Sequence, residues 1–196
     1  MNKYLIPILL ICFLNSSFAQ EIKVDAIAGF NASQLDGDRM AGFNKLGLLL
    51  GGSAGVNLKE NFKVELRILY SQKGSRFTDK DPVDLNYRLN YLDFPMVFRY
   101  RLDQNFFELA ENIELEAGLQ FSYLLAAKEG DPLIGFIRLY DDFEPRIYGF
   151  ILGCSYNYDR YTLRLNFQRS LVSTNKSFSY LDRTLSFSLA YSLGNE

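Results

Sequence analysis

Hydrophobic and polar residues alternate along most of this chain, most clearly from Ile113 to Lys128, which reads IELEAGLQFSYLLAAK. Ile113, Leu115, Ala117, Leu119, Phe121, Tyr123, Leu125 and Ala127 make one row, and Glu114, Glu116, Gly118, Gln120 and Ser122 make the other. A period of two puts the rows on opposite faces of a β-strand. The run is longer than the roughly 5–6 residues of an ordinary soluble strand. It is long enough to cross a bilayer, which takes about 9–11 tilted residues.

The same alternation recurs before and after it. A first strand over Glu21 to Gln34 sets Ile22, Val24, Ala26, Ala28 and Phe30 against Lys23, Asp25, Ile27, Gly29 and Asn31. A second, over Leu46 to Leu58, sets leucines against Gly47, Gly51, Ser53, Gly55 and Asn57. The third begins at Phe62 after a tight Lys59-Glu60-Asn61 turn and sets Val64, Leu66, Ile68 and Tyr70 against Lys63, Glu65 and Arg67. The fourth sets Leu92, Phe94, Met96, Phe98 and Tyr100 against Asp93, Pro95, Val97, Arg99 and Arg101. Pro95 has no N–H to give the ladder and predicts a bulge or local break. After the Ile113 strand come a sixth strand with Tyr148, Phe150, Leu152, Cys154, Tyr156 and Tyr158 on one face, a turn at Asp159-Arg160, and a seventh from Tyr161. The last sets Leu185, Phe187, Leu189, Tyr191 and Leu193 against Thr184, Ser186, Ser188, Ala190 and Ser192.

That pattern predicts an all-β protein: eight antiparallel strands in an up-and-down transmembrane barrel. Loops around Asp36-Gly37-Asp38, around Asp81-Pro82, from Glu129 to Pro145 and from Val172 to Asp182 are long, and the connections between them shorter. Outer-membrane barrels alternate short periplasmic turns with longer external loops in this way. A soluble lipocalin-like barrel would have the same strands with the polarity inverted. The leader favours export. Lys3, the apolar run Leu5 to Leu14 and the Ser17-Phe18-Ala19 junction read as a signal peptide over residues 1–19, with the barrel domain at 20–196.

Composition narrows the reading further. The formal net charge is −2, or −3 without Lys3, which offers no broad basic surface for nucleic acid. Cys12 lies in the leader, so Cys154 stands alone in the remainder and no intrachain disulfide is expected. The chain has no histidine and no tryptophan but 17 Phe and 13 Tyr. Without histidine there is no His-based triad or His metal site. Cys154 falls on the lipid row, Asp141, Asp142 and Glu144 read as loop charges, and no catalytic, cofactor or metal set is assigned.

The inner row carries Lys23, Lys63, Arg67, Arg99, Arg101 and Arg164 against Asp25, Glu65, Asp93, Glu114 and Glu116. Charges away from water must be paired and hydrogen-bonded. The sequence therefore predicts an internal salt-bridge network filling the lower barrel, in preference to a proton path. The Gly47/Gly51/Gly55 row is expected to make room for bulky side chains from across the barrel.

Tyr70-Ser71-Gln72-Lys73-Gly74, Asn90-Tyr91-Leu92-Asp93-Phe94-Pro95, Gly118 to Ala127 and the Ala19-Gln20 junction resemble the PorT-like outer-membrane β-barrel proteins of Bacteroidetes. The resemblance implies an eight-stranded barrel in the cell outer membrane and brings no catalytic residues. Its namesake is associated with protein secretion by the type IX system. One departure is the end, Gly194-Asn195-Glu196, where such barrels commonly carry a terminal aromatic; the nearest here is Tyr191.

The expected role is a non-enzymatic accessory or scaffold of an envelope complex, in type IX secretion or outer-membrane protein assembly. Its expected partners are outer-membrane lipids and envelope proteins, and it needs no cofactor. The alternatives are a small-ligand transporter or receptor with an extracellular loop cup, and a membrane-embedded enzyme acting on lipid.

Overall fold

The computed structural model describes residues 22–36, 42–76, 86–102, 110–131, 135–138, 142–177 and 179–194. The leader, Gly37-Asp38, Asp81-Pro82, Leu133, Ile134, Leu139, Asp141 and the last two residues lie outside them. The strands are β1 (Ile22–Asp36), β2 (Lys45–Lys59), β3 (Phe62–Arg76), β4 (Asn86–Arg101), β5 (Ile113–Asp131), β6 (Gly135–Arg138), β7 (Arg146–Tyr158), β8 (Tyr161–Ser170) and β9 (Leu181–Ser192). Eight of them form one antiparallel sheet that closes on itself, because β4 pairs with β5 as well as β3 and β1 pairs with β9. The ninth, β6, is a short hairpin strand on the upper end of β5, from Lys128↔Arg138 to Asp131↔Gly135.

The closed sheet has no exposed strand edge along the wall, which is what lets a β structure cross lipid. Two connections are two-residue turns, at Glu60-Asn61 and Asp159-Arg160. Asp159 takes φ 52° there, a left-handed conformation that aspartate tolerates better than most residues. These turns share a rim with the start of β1 and the end of β9. A 3₁₀ turn at Ala110–Asn112 leads into β5 at the same rim.

The predicted outward rows are the exposed ones. Leu48, Leu66, Ile68, Leu115, Leu119, Leu152, Leu165 and Leu189 all show their side chains on the outer wall. On β7, Tyr148 and Tyr158 mark the ends of the apolar band, ten residues apart. At about 3.3 Å per residue and 40–45° of tilt that is roughly 25 Å of height, the height of an outer-membrane apolar band.

Pro95 marks a local break and no bulge, and the expectation for the glycines of β2 is corrected. The irregularity between β4 and β5 lies at Asn90/Tyr91, where Leu125 is the extra residue, and not at Pro95, which pairs with Gln120 in register. On the β3 side, the ladder skips from Leu66↔Met96 to Leu69↔Asp93 without a shift, the local break expected of a proline with no N–H. The bulge turns Ala127 from the outer row to the interior, where it is buried beside Leu124. The glycines of β2 mainly answer to their neighbouring strand: a Cβ on Gly51 would collide with the Ile68 backbone carbonyl. At Gly55 it would meet the Lys63 side chain, and at Gly47 the Gln72 carbonyl and Cβ, both on the neighbouring strand.

Candidate functional site: a filled and layered interior

The barrel lumen holds three layers of side chains. At the short-turn rim sits an ionic network whose members come from β1, β3, β4, β5 and β8. Glu65 lies at its centre. It accepts from Arg67 Nε at 2.6 Å, Arg99 Nη1 at 2.7 Å and Arg164 Nη2 at 3.2 Å. Glu116 accepts from Arg67 Nη2 at 2.7 Å and Asn166 Nδ2 at 2.8 Å. Arg99 also reaches Glu114 at 2.6 Å and donates to Ser155 Oγ at 2.9 Å. Arg164 closes the ring onto Asp25 at 3.0 Å, with Ser53 donating to the same oxygen. Lys63 stands at the edge, 3.9 Å from Glu65.

The predicted network is thus present, and four cations oppose four carboxylates in it. Three predicted members fall outside it. Asp93 stands higher in the barrel, paired with Lys73. Lys23 is exposed at the rim, and Arg101 is half-exposed with only a 4.0 Å approach to Glu114. Both sit on the inner row, but so near the strand end that water reaches them. Between this rim and the network lies a polar cavity of about 350 Å³, lined by Lys23, Lys63, Arg101, Glu111, Glu114 and Arg160 among others.

Above the network the lumen turns apolar. Ile27, Leu49, Leu69 and Ala190 form one buried cluster. These residues occupy inner-row positions, so the interior is not uniformly polar as the alternation implied. Leu49 is hidden in the sequence inside a run of leucines, where period two cannot be read.

The upper lumen is polar again, and its charges are few. Lys73 Nζ lies 3.0 Å from Asp93 and 3.6 Å from Asp182. Its ammonium also stands 5.5 Å from the centre of the Tyr91 ring. Thr184 donates to Asp182, and Asn31 donates to Ser71 Oγ at 2.8 Å. Asp93 belongs to the predicted inner row; Lys73 and Asp182 were missed because each lies where a loop was expected to begin or end. The two segments that carry the PorT-like resemblance, Tyr70 to Gly74 and Asn90 to Pro95, pair with each other here, Ser71 opposite Tyr91 and Gln72 opposite Asn90.

The outer-loop end is closed by a cap. Leu35, Leu89, Tyr91, Leu124, Ala127, Phe143 and Ile147 form a buried cluster, with Tyr87 and Tyr180 against it. Phe143 comes from the long fifth connection and is held by a β-bridge to Asn175. Glu144 N donates to the Thr174 carbonyl at 2.9 Å, and Lys176 N to the Asp142 carbonyl at 3.0 Å. Asp142 and Glu144 are therefore held through backbone bonds between two loops. Among the described residues no three His, Cys, Asp or Glu side chains converge in a metal-binding arrangement. Cys154 lies exposed on the outer wall, as its row predicted.

A closed eight-stranded wall, apolar outside and ion-paired inside, is the inside-out arrangement of a membrane barrel. The model of the outer membrane protein beta-barrel domain family matches residues 18–179. The chain belongs to this family. Its place is the outer membrane, and the lipocalin-like polarity is excluded by the exposed leucine rows.

Solved outer-membrane structures share the fold. Neisserial surface protein A (NspA) superimposes with a TM-score of 0.51 at 12% identity, over 87% of this chain and 96% of that one. Ail, the attachment invasion locus protein of Yersinia pestis, gives 0.52 at 11% identity, over 87% and 99%. No curated protein matches the chain.

Proposed function

We propose that this outer-membrane barrel is a non-enzymatic accessory or scaffold component of an envelope complex, serving type IX secretion or outer-membrane protein assembly. The observation that carries the reading is the filled lumen. An ionic layer, an apolar layer and an aromatic cap lie in series, so the interior provides rigidity and no path for a solute. What remains for contact is the outer wall, the loops and the short-turn rim. The PorT-like segments support the secretion branch, and residues 1–19 fit a leader removed on export. Among the described lumen residues the charged side chains are taken up in ion pairs, which supports the non-enzymatic part.

The test is gentle extraction of the native outer membrane, followed by sizing and identification of whatever travels with this chain. A stable heteromeric particle is expected. A lone barrel, together with unchanged secretion and unchanged outer-membrane protein levels in a deletion strain, would overturn the proposal. One observation favours a second reading: the polar cavity of about 350 Å³ is within the range of small-ligand sites. It opens at the short-turn rim, so a ligand would enter from the periplasmic side and not through an external cup. Thermal stabilisation by a periplasmic solute, lost in Lys63→Met, would support that reading.

A further inference from the structure

The outward rows carry charge at one end only. From the short-turn rim upward, the outer wall begins with Ile22, Leu58, Phe62, Tyr100, Ile113, Tyr158 and Tyr161 and stays uncharged through the apolar band. At the opposite rim, the last outward positions are Arg76 on β3, Arg88 on β4, Lys128 on β5, Arg146 on β7, Arg169 on β8 and Arg183 on β9. Among the described outward positions one acid, Asp36 on β1, shares that level; it lies 2.5 Å from Arg183 and 4.0 Å from Arg169.

The strand register brings these cations together. Arg169 stands directly opposite Arg183 on β8 and β9. Arg88 stands directly opposite Lys128 on β4 and β5. Like charges in directly opposed positions are unfavourable on a sheet. Their repetition at two separate places on one rim suits an anionic neighbour.

We infer that this rim is a binding belt for phosphate-bearing lipid headgroups of the outer leaflet. Short turns face the periplasm in outer-membrane barrels, so the basic rim faces the cell exterior, at headgroup height just above the apolar band. Arginine's planar fork pairs bidentately with phosphate, and the belt has five described arginines to one lysine. Two opposed pairs on different sides of the barrel give two phosphates separate seats while acyl chains lie along the leucine wall. The belt rests on the outer-membrane location and is independent of any role in an envelope complex.

The experiment uses the full mature barrel in nanodiscs of phosphatidylcholine, doped either with a bisphosphorylated glucosamine lipid or with the same lipid after removal of its phosphates. The melting temperature and lipid retained through purification are read for the native chain, for Arg88→Gln/Lys128→Gln and for Arg169→Gln/Arg183→Gln. Stabilisation and retention are expected with the phosphorylated lipid alone, and each double substitution should weaken binding by roughly thirty-fold. The first variant removes a like-charge pair from the surface and is expected to fold. The second also removes the two cations facing Asp36, so it is read beside Asp36→Asn/Arg169→Gln/Arg183→Gln, in which no carboxylate is left without its cation. Arg101→Gln, at the other rim, should bind as the native chain does. Equal stabilisation by the dephosphorylated lipid would overturn the inference in favour of acyl-chain contact. The same stabilisation by inorganic phosphate alone would overturn it in favour of a site for the free ion.

Discussion

Glu65 on β3 and Arg99 on β4 meet at 2.7 Å inside the barrel, both almost wholly buried. Three arginines converge on that one carboxylate, so its removal strands more charge than it takes away. Breaking a buried ion pair from one side costs about 3–5 kcal/mol. Glu65→Gln should lower unfolding stability by that order, read from urea titration of the barrel refolded in detergent. Pairing it with Arg99→Met should recover part of the loss. If both variants unfold at the native midpoint, the network contributes nothing to holding the lower barrel together.

Lys73 plays the corresponding part in the upper lumen, as one cation between Asp93 and Asp182. Lys73→Met leaves two carboxylates facing each other in a site sealed above by the Tyr91 and Phe143 cap. A loss of about 3 kcal/mol or more is expected. Lys73→Met combined with Asp182→Asn should be more stable than Lys73→Met alone, because only one carboxylate then lacks its cation. Thermal melts of the three proteins in one detergent decide this, and a double variant no better than the single would show that the charge balance is not what matters there.

The ladder of layers also bears on permeation. Ile27, Leu49, Leu69 and Ala190 pack as a buried apolar cluster between the two polar zones. In planar bilayers the native barrel should show no steady conductance. Arg99→Ser with Glu65→Ser should wet the lower lumen and still not conduct, since the apolar layer and the cap are untouched. Ohmic current from the native protein would contradict the filled interior and move weight to a transport role.

Much of this architecture could be read directly from the alternation. Exposed leucine rows, tight turns at Glu60-Asn61 and Asp159-Arg160, and the lower ionic network all follow from a period of two with charges on the inner row. The upper site was not legible, for two physical reasons. Lys73 and Asp182 sit at strand ends whose extension depends on pairing partners distant in sequence. Ala127 changes face only because a bulge opposite Asn90/Tyr91 resets the register, and nothing local announces it. The cap was hidden because Phe143 belongs to a loop, and its burial depends on a bridge to Asn175 in another loop. The basic rim is not legible in the sequence since six strands contribute a single cation each, and the cluster exists only once the strands are laid side by side.

Leu152 offers the sharpest test of which face meets lipid. It lies between Tyr148 and Tyr158 on β7, at mid-height of the apolar band, and is half-exposed on the outer wall. The chain contains no tryptophan, so Leu152→Trp creates a lone fluorescent reporter. In vesicles its emission should be that of an apolar setting, and lipids brominated deep in the acyl chain should quench it more than lipids brominated near the headgroup. Tyr158→Trp, at the rim, should show the reverse order. Charge placed at the same two depths gives an energetic counterpart. Leu152→Arg should cost about 2–4 kcal/mol, and Tyr158→Arg about 0–1, because the penalty falls toward the interface. Were the reporter at Leu152 quenched by an aqueous agent and untouched by brominated lipid, the wall would face water, and the leucine rows would need some other cover.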